Sequence, residues 1–325
     1  MWRRFWKALR GAAIAHIHTC SGLSFFLDSC LAVLAHQRGV AVVYHIHGAR
    51  FDQFIQGLNP LALAWVRRTL GQGHAVVVVS EDWRERLDPL LPGAPWVVIP
   101  NGVPGILGEG NAAADALADP ALKLLFIGNL MGRKGVVELI EAVAAVNAGR
   151  EEAGNPHPLV SLAIAGGEGE PGYEATVVAA VAAAGDPPWI RRLGPVTGRD
   201  KVACFAAANG FALFSQAEGL PIALLEAMSA GHAVVTTAVG GVRTVVEDGV
   251  HGLLLAPGDT AGLPEALARL AEDPDLRRRL GDAAKARWQS QFSVEVMAEG
   301  VVALYARLLP QTPVTDLAIS GERQP

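Results

Sequence analysis

The sequence predicts an α/β protein made of two parallel, doubly wound sheets in two domains. Along its 325 residues, short apolar runs alternate with helical stretches, a pattern that is typical of βαβ units. The 36 glycines suit many loops at the ends of strands. Two domains are the natural division of a chain of this length.

Residues 1–105 are predicted to form the first domain. Apolar runs in this part have the continuous hydrophobic character of strands that are buried on both faces. The predicted strands are Ala13–His18, Val40–Ile46, Ala75–Val79 and Trp96–Ile99. Helices are predicted between them, near residues 24–37, 60–71 and 81–90.

Residues 106–120 are predicted to be an interdomain linker, because this stretch is rich in glycine and alanine and weakly patterned. The second domain is expected over residues 121–290. Its predicted strands are Lys123–Ile127, Leu159–Ala165, Ile190–Leu193, Phe211–Phe214, Ala233–Thr236 and Leu253–Leu255. The tail at residues 310–325 is polar and bounded by proline, so it is predicted to be disordered.

The first helix, Trp2–Arg10, is both basic and aromatic. Residues 1–105 hold 10 Lys and Arg against 6 Asp and Glu, although the whole chain has a net charge of −5. A basic, aromatic, amphipathic helix fits a peripheral contact with a membrane surface. It fits equally an ordinary surface helix that covers the edge of the sheet.

Other features bear on the class of protein and on its location. No apolar run is long enough for a transmembrane helix, and the N-terminus lacks the apolar core of a signal peptide. The cysteines Cys20, Cys30 and Cys204 show no metal or redox spacing, which predicts buried, reduced thiols. We therefore expect a cytoplasmic protein, at the inner face of the membrane if Trp2–Arg10 binds lipid, with no nucleic-acid partner.

Two glutamates, Glu218 and Glu226, distinguish the stretch Ser215–Gly241. Glu218 follows the predicted strand Phe211–Phe214, and Glu226 lies on the next helix among apolar neighbours. A helix cap or a solvated helix position is the ordinary interpretation of such residues. It is hard to sustain for Glu226, because a carboxylate on a mostly buried helix needs a partner or a ligand. One of the two carboxylates could hydrogen-bond to a sugar hydroxyl and the other to a ribose.

An anion site is predicted at the start of that helix. Pro221 is expected at its first helical position, where a missing N–H costs nothing. The backbone N–H groups of Gly219 and Leu220 would then lie near the positive end of the helix. Such an end is suited to a phosphate or diphosphate.

Polar residues also follow the strand that ends at Ile127, namely Asn129, Arg133 and Lys134. Ligands bind at the carboxyl ends of parallel strands. A cation at the start of a helix is unfavourable unless an anion is present. Arg133 and Lys134 are therefore predicted to bind a phosphate or diphosphate rather than to form a solvated helix start. Nothing in the sequence suggests a dedicated metal site, so no metal and no cofactor are expected.

Several motifs, in matching order, resemble those of retaining glycosyltransferases of family 4, which have the GT-B fold. The paired-glutamate stretch is joined by PNGV at Pro100–Val103, FIGNLMGRKG at Phe126–Gly135 and GGVRTVVEDGVHGLLLAPGD at Gly240–Asp259. HIHT at His16–Thr19 and HIHGARFDQF at His45–Phe54 resemble first-domain motifs of bacterial exopolysaccharide members. The resemblance covers about residues 12–310.

The resemblance implies two Rossmann-like domains that face a cleft, with residues 291–309 as a helix that crosses back to the first domain. It assigns catalytic roles to Glu218, Lys134 and His47, with His47 lining the sugar site. It assigns donor binding to Glu226, Arg133, Asn129, Gly219, Leu220, Gly166 and Val196. The chain departs from the family at Asn129, where many members have arginine.

A second departure concerns the N-terminal side. Family members normally begin with a strand, a glycine-rich loop and about two more βα units before the HIHT motif. The first domain is therefore expected to be incomplete, either because the chain is a fragment or because the protein is naturally short. In that case we expect an exposed parallel edge, which is an aggregation liability.

Four histidines, His16, His18, His45 and His47, lie at the ends of two predicted strands, with each pair on one face. They fit ordinary packing, or a contact between His47 and the transferred sugar. A metal site is less well supported, because no carboxylate or cysteine joins them at a recognisable spacing. Weaker candidates that face the cleft are Asn101 and Arg50.

The sequence thus predicts a retaining, metal-independent glycosyltransferase. It would move a sugar from a nucleoside-diphosphate sugar to a glycan or polyprenyl-linked acceptor, in cell-envelope or exopolysaccharide synthesis. One alternative is a pseudo-enzyme or inactive fragment that binds a nucleotide-sugar or a partner. Another is a nucleotide-sugar 2-epimerase on the same fold, against which the paired glutamates and the Lys134–Gly135 loop argue.

Overall fold

The computed structural model describes residues 2–48, 50–108, 119–152 and 159–309 and shows two parallel sheets. The first sheet has the order β1-β2-β3-β4 and the second β10-β9-β8-β5-β6-β7. The strands are β1 Ile14–Thr19, β2 Ala41–Ile46, β3 Ala75–Val78, β4 Trp96–Val98, β5 Leu122–Ile127, β6 Val160–Ala165, β7 Ile190–Gly194, β8 Gly210–Leu213, β9 Ala233–Thr237 and β10 Leu253–Leu255. The predicted fold of parallel α/β sheets is confirmed.

Helices connect these strands. They are α1 Trp2–Ala8, α2 Leu23–Gln37, α3 Phe51–Gln56, α4 Pro60–Gly71, α5 Glu81–Leu87, α6 Val136–Glu152, α7 Tyr173–Ala183, α8 Gly198–Ala207, α9 Ile222–Ala230, α10 Val242–Val245, α11 Gly262–Glu272, α12 Pro274–Gln291 and α13 Val294–Leu308. A 3₁₀ turn, Gly132–Lys134, precedes α6. The sequence did not predict α3, because a helix of one to two turns carries too little periodicity to be recognised.

The two central strands of the first sheet, β2 and β3, are buried on both faces. Tyr44 and Val76 point into the main core, whereas Val43 and Val77 form a separate cluster with Leu304 of α13. This alternation follows from the two-residue period of a strand. The last helix of the described chain therefore packs on the outer face of the first sheet.

The second sheet changes direction between β5 and β8. The chain proceeds from β5 through β6 to β7 on one side, then returns to β8 and continues to β10 on the other side. In open parallel sheets, a crevice forms where the strand order reverses, outside the carboxyl ends of the strands. The loops after β5 and β8 therefore lie side by side at that crevice.

Backbone and side-chain contacts join the two domains around Val103. Val103 pairs with Ser293 in an isolated bridge, and its carbonyl oxygen accepts a hydrogen bond from Trp288 Nε1 at 3.2 Å. The N–H of Ile106 donates to Ser229 Oγ at 3.1 Å. Of the predicted linker, residues 109–118 lie outside the described residues, as does the predicted tail at residues 310–325.

Helix α1 is anchored on one side and exposed on the other. Leu9 is buried just after it and Phe5 packs against the core, whereas Trp6 is exposed and lies under the guanidinium of Arg38. Covering the sheet and presenting an aromatic surface are thus both features of this helix. Among the described helices, none is long and apolar enough to cross a membrane.

The prediction of buried thiols is wrong. Cys20 and Cys30 are free and exposed, and Cys204 is free and partly buried. Cys20 directly follows β1 and Cys30 lies on the outer side of α2. Spacing along the chain says nothing about which side of a helix or loop faces the solvent.

Candidate active site

The candidate site lies in the crevice between the two domains. One cavity of about 250 Å³ is lined by Asp52, Asp82 and Arg86 of the first domain and by Glu218 and Arg243 of the second. A neighbouring cavity of about 710 Å³ is lined by Arg50 together with residues of the loops after β5 and β6, including Arg133. The carboxyl ends of the second sheet therefore open into a space that both domains enclose.

Lys134 and Glu218 form the centre of the site. Lys134 Nζ lies 2.5 Å from Glu218 Oε1, and Ser215 Oγ donates to the same oxygen at 2.8 Å. Arg133 donates to the carbonyl oxygen of Ala217 at 2.7 Å and lies 3.8 Å from Glu218 Oε1. Glu218 is only 6% exposed. The structure thus brings together the predicted residues of two loops that are 84 positions apart in sequence.

The charge of this cluster is suited to an anion. It contains the ammonium of Lys134 and the guanidinium of Arg133 against the single carboxylate of Glu218. A net positive charge next to a poorly solvated carboxylate attracts a further negative group, such as a phosphate. Because the three side chains are already held in place, little reorganisation would accompany binding.

Two glycines allow the loops to approach each other. Gly135 has a left-handed φ of 68°, and a Cβ there would overlap the carbonyl oxygen of Phe214. Gly240 has a φ of 47°, and a Cβ there would overlap the carbonyl oxygen of Glu218. Both positions therefore require glycine, and both fix the backbone on which Glu218 stands.

Replacing Gly135 with alanine is expected to lower the free energy of unfolding by roughly 2–4 kcal/mol, because left-handed strain adds to a steric overlap. Gly93→Ala is the matched control, because Gly93 also has a left-handed φ of 81° but open space around it. We expect Gly93→Ala to cost about 1 kcal/mol. Denaturant unfolding of both variants measures the difference. Equal costs would show that the contact with Phe214 does not constrain the loop.

Only one of the two carboxylate oxygens of Glu226 has a hydrogen-bond partner in the described part of the protein. Its Oε1 lies 2.5 Å from Lys201 Nζ, whereas its Oε2 is buried and has no hydrogen-bond partner in the described part of the chain. Glu226 is 8% exposed. Buried polar atoms are nearly always satisfied, so the free oxygen marks a position for a ligand hydroxyl or a water molecule.

The start of α9 differs slightly from the prediction. Pro221 has an extended ψ of 123° and is the N-cap residue, so the first helical residue is Ile222 and not Pro221. Within the described residues, the N–H groups of Gly219 and Leu220 have no hydrogen-bond partner. The carbonyl oxygen of Leu220 accepts a hydrogen bond from Asn101 Nδ2 at 3.1 Å. The helix entrance therefore presents free donors, and Asn101 holds it from the first domain.

The other predicted donor-binding residues lie at the ends of neighbouring strands. Asn129 follows β5 and is exposed. Gly166 follows β6, and its N–H donates to the carbonyl oxygen of Gly194 at 2.8 Å. Val196 lies beyond β7 and is half-buried. The same edge of the second sheet thus carries all three, in the order β5, β6, β7.

His47 belongs to a histidine cluster on the first sheet. Its Nε2 lies 2.8 Å from His18 Nδ1, and its ring stacks on His45 at 4.2 Å between centroids. Burial, reinforced by neighbouring imidazoles, lowers the pKa of His16 to about 4 and that of His45 to about 3, and lowers the pKa of His47. We therefore expect these three rings to be neutral at pH 7.

The sequence missed several residues of the site. Lys201 at the start of α8 pairs with Glu226, and Ser215 holds Glu218. The buried setting of Glu226 indicated that a partner was needed but not which residue it was. The cavity residues Asp52, Asp82, Arg86 and Arg243 come from short helices that face the crevice, and no sequence pattern marks that orientation.

Family models match almost the whole chain. Residues 109–287 match the model described as glycosyl transferases group 1, and residues 1–104 match glycosyltransferase family 4. The chain is 32% identical to a D-inositol 3-phosphate glycosyltransferase of Actinosynnema mirum over 65% of this chain and 51% of that protein. It is 30% identical to an α-maltose-1-phosphate synthase of Mycobacterium tuberculosis over 93% of this chain and 81% of that protein.

The chain spans about half the length of the inositol-phosphate relatives that it matches, such as 51% and 58% of two of them. Solved structures resemble its fold. Sucrose-phosphate synthase from Thermosynechococcus elongatus has a TM-score of 0.76 at 23% identity over 94% of this chain and 76% of that one. HepE of Anabaena, solved in complex with UDP, has a TM-score of 0.76 at 19% identity over 93% and 82%. The predicted GT-B fold is confirmed.

Proposed function

Because the chain belongs to the glycosyl transferases group 1 family, we propose that it transfers a sugar from a nucleoside-diphosphate sugar to a glycan or lipid-linked acceptor. In this proposal the reaction retains the anomeric configuration and uses no metal. The observation that carries it is the cluster of Lys134, Arg133 and Glu218 at the point where the second sheet reverses direction.

The leaving diphosphate is the part of the reaction that this cluster serves best. When the bond between the sugar and the phosphate breaks, negative charge accumulates on the departing oxygen. Lys134 and Arg133 supply positive charge beside it, and the free N–H groups of Gly219 and Leu220 supply donors at the start of α9. Preorganised charge of this kind stabilises a transition state strongly. It also makes a metal unnecessary for neutralising the diphosphate.

Glu218 would orient the donor sugar through its hydroxyls. Its Oε1 is held by Lys134 and Ser215, so the carboxylate has a fixed direction next to the cation. Departure of the diphosphate and attack by the acceptor hydroxyl would then occur on one face of the sugar. In the proposal, the neutral imidazole of His47, at the carboxyl end of β2, lines the sugar site from the first domain.

Glu226 would bind the ribose of the donor. The buried, unpartnered Oε2 supports this role, because a ribose hydroxyl would supply the missing hydrogen bond. The backbone around Gly166 and Val196 would face the base, with Asn129 near the phosphates. HepE, a protein of similar fold, was solved in complex with UDP and with UDP-glucose, and this supports a nucleotide-sugar as the donor.

The biological setting is part of the proposal. The first domain, residues 1–105, would hold the acceptor, and residues 121–290 the donor. A polyprenyl-linked acceptor would place the enzyme at the inner face of the cell membrane, in cell-envelope or exopolysaccharide synthesis. The exposed Trp6 and the basic residues of α1 support a peripheral contact there.

The stereochemistry of the product tests the proposed reaction class. We would incubate the purified chain with an α-linked donor and acceptor, chelate divalent cations, and record the anomeric proton signals of the product by NMR. An α-linked product supports retention without a metal. A β-linked product, or one that requires added Mg²⁺ or Mn²⁺, contradicts the proposal. Epimerised free nucleotide-sugar would instead support the 2-epimerase alternative.

Replacing Glu226 with glutamine is expected to weaken binding of the nucleoside diphosphate about tenfold, which corresponds to about 1.4 kcal/mol. The amide keeps the size of the side chain but loses the charge that pairs with Lys201. Calorimetry with the nucleoside diphosphate and with inorganic diphosphate measures the effect. If Glu226 contacts the ribose, binding of inorganic diphosphate, which has no ribose, should be unaffected by the substitution.

The exposed Glu272 provides the control, because Glu272→Gln changes the same group outside the crevice. We expect it to bind both ligands as the wild type does. Equal loss of both ligands in Glu226→Gln would show that Glu226 supports the site through Lys201 and does not contact ribose.

A further inference from the structure

The histidine cluster of His16, His18, His45 and His47 lies at the joint between the first sheet and α13. Strands β1 and β2 pair in a register that sets His18 beside His45, with His16 one step earlier on the same face. The hydroxyl of Tyr305 on α13 lies 2.6 Å from His16 Nδ1. The cluster therefore joins two strands of the first domain to the helix that returns from the second.

Three of these histidines have the spacing of a metal site. Ligand nitrogens of His16, His18 and His45 all lie within 4.8 Å of one another. His16 Nε2 and His45 Nδ1 are 3.2 Å apart. For tetrahedral zinc with bonds of about 2.0–2.1 Å, neighbouring ligand nitrogens are about 3.3 Å apart. One pair therefore already has the required separation. The three rings stack on one another, so rotation about their soft χ2 torsions would turn the ring nitrogens toward one ion.

The cluster is also chemically suited to a cation. Metal-bound imidazoles are neutral and are oriented by a hydrogen bond to the second ring nitrogen. His16 has such a bond to Tyr305, and His18 has one to His47. His45 is 3% exposed, and neither of its ring nitrogens has a partner outside the cluster among the described residues: Nδ1 lies next to His16 Nε2, and Nε2 is buried without a partner. Hydrogen bonds within the protein thus leave this cluster incompletely satisfied.

We propose that His16, His18 and His45 bind one divalent transition-metal ion of the zinc type, and that this ion stabilises the packing of α13 on the first sheet. Tyr305 and His47 act as positioning residues for His16 and His18. Three imidazole ligands leave a fourth position, which a water molecule can fill beside the exposed His18.

This site is separate from the proposed diphosphate site. Its ligands come from β1 and β2 of the first sheet, whereas Lys134 and Glu218 follow β5 and β8 of the second. Borderline metals that favour imidazole differ from the Mg²⁺ and Mn²⁺ that bind phosphates. His47 is shared by the two sites, but the metal ligands and the cation of the diphosphate site are different residues, so metal binding can be measured without donor and either proposal can fail alone.

Metal titration of the chelator-treated, full-length chain tests the site. Calorimetry with Zn²⁺ is expected to give one ion per chain, and Co²⁺ is expected to give the visible absorption of a four-coordinate ion with nitrogen ligands. Zn²⁺ should also raise the melting temperature, because it binds the folded state. A folded chain that binds neither ion, or binds several ions without the Co²⁺ spectrum, overturns the proposal.

Variants locate the site. His16→Gln and His45→Gln are each expected to weaken Zn²⁺ binding at least 100-fold, whereas His36→Gln, at an exposed histidine on α2, should bind as the wild type does. Tyr305→Phe should weaken binding about tenfold, because it removes only the positioning hydrogen bond. It leaves all three imidazoles in place, so it remains informative if a histidine variant fails to fold. If Tyr305→Phe binds Zn²⁺ with unchanged affinity, and any folded histidine variant does so as well, the assignment is overturned.

Discussion

Replacing Glu218 with alanine is expected to lower turnover at least tenfold, which corresponds to about 1.4 kcal/mol or more in the activation free energy. Glu218 is buried and held by Lys134 and Ser215, so its carboxylate has a defined direction in the crevice. The substitution removes the group that would orient the donor sugar. It also frees Lys134, so affinity for the nucleoside diphosphate should stay the same or increase. Initial rates and calorimetry measure both quantities.

Glu141 provides the control for this prediction. It is an exposed glutamate on α6, and Glu141→Ala should leave both turnover and affinity unchanged. The melting temperature of each variant shows whether it is folded. Turnover in a folded Glu218→Ala variant that equals that of the wild type contradicts the assigned role. A loss of turnover matched by an equal loss of affinity for the nucleoside diphosphate would assign Glu218 to general binding.

Replacing Lys134 with alanine is expected to lower turnover by about 10²–10³, the usual effect of removing one group that stabilises developing charge. Lys134 Nζ is 2.5 Å from Glu218 Oε1, so the variant also leaves the carboxylate facing the incoming phosphate. We therefore expect weaker binding of the nucleoside diphosphate and unchanged binding of the nucleoside. Competition calorimetry with the two ligands separates these effects.

Lys285→Ala is the control, because Lys285 is an exposed lysine on α12. The double variant of Lys134 and Glu218 adds a further test. If the two side chains act as one unit, the double variant should lose less activity than the two single losses multiplied together. Full additivity in folded proteins would contradict a shared role in the crevice.

Much of the fold could be predicted because parallel strands that are buried on both faces are continuous apolar runs. The run Ala75–Val79, for example, corresponds to β3 at Ala75–Val78. The helix after Glu218 was predicted from Pro221, within one residue of its start. Lys134 and Glu218 were each predicted as site residues, one after each of two strands whose carboxyl ends meet at the crevice, but the contact between their side chains was not predicted.

What the sequence did not predict depends on orientation and register. Lys201 reaches Glu226 from α8, a contact that no local pattern specifies. The histidine pairs of β1 and β2 meet because the two strands align His18 with His45. A metal site formed by these histidines was considered from their strand positions, but which side chains meet depends on register, which is set by packing across the whole sheet.

The central claim is that the Lys134–Glu218 crevice binds and cleaves a nucleoside-diphosphate sugar. The most direct measurement is the release of nucleoside diphosphate from UDP-, GDP- and ADP-sugars by the purified chain, with calorimetric binding of the same donors. Chelator is present, and the temperature is kept below the melting point of the metal-free protein. We predict that one nucleotide series binds and is turned over, and that Glu218→Ala retains binding but loses turnover. A folded wild-type chain that neither binds nor cleaves any of these donors would contradict the claim.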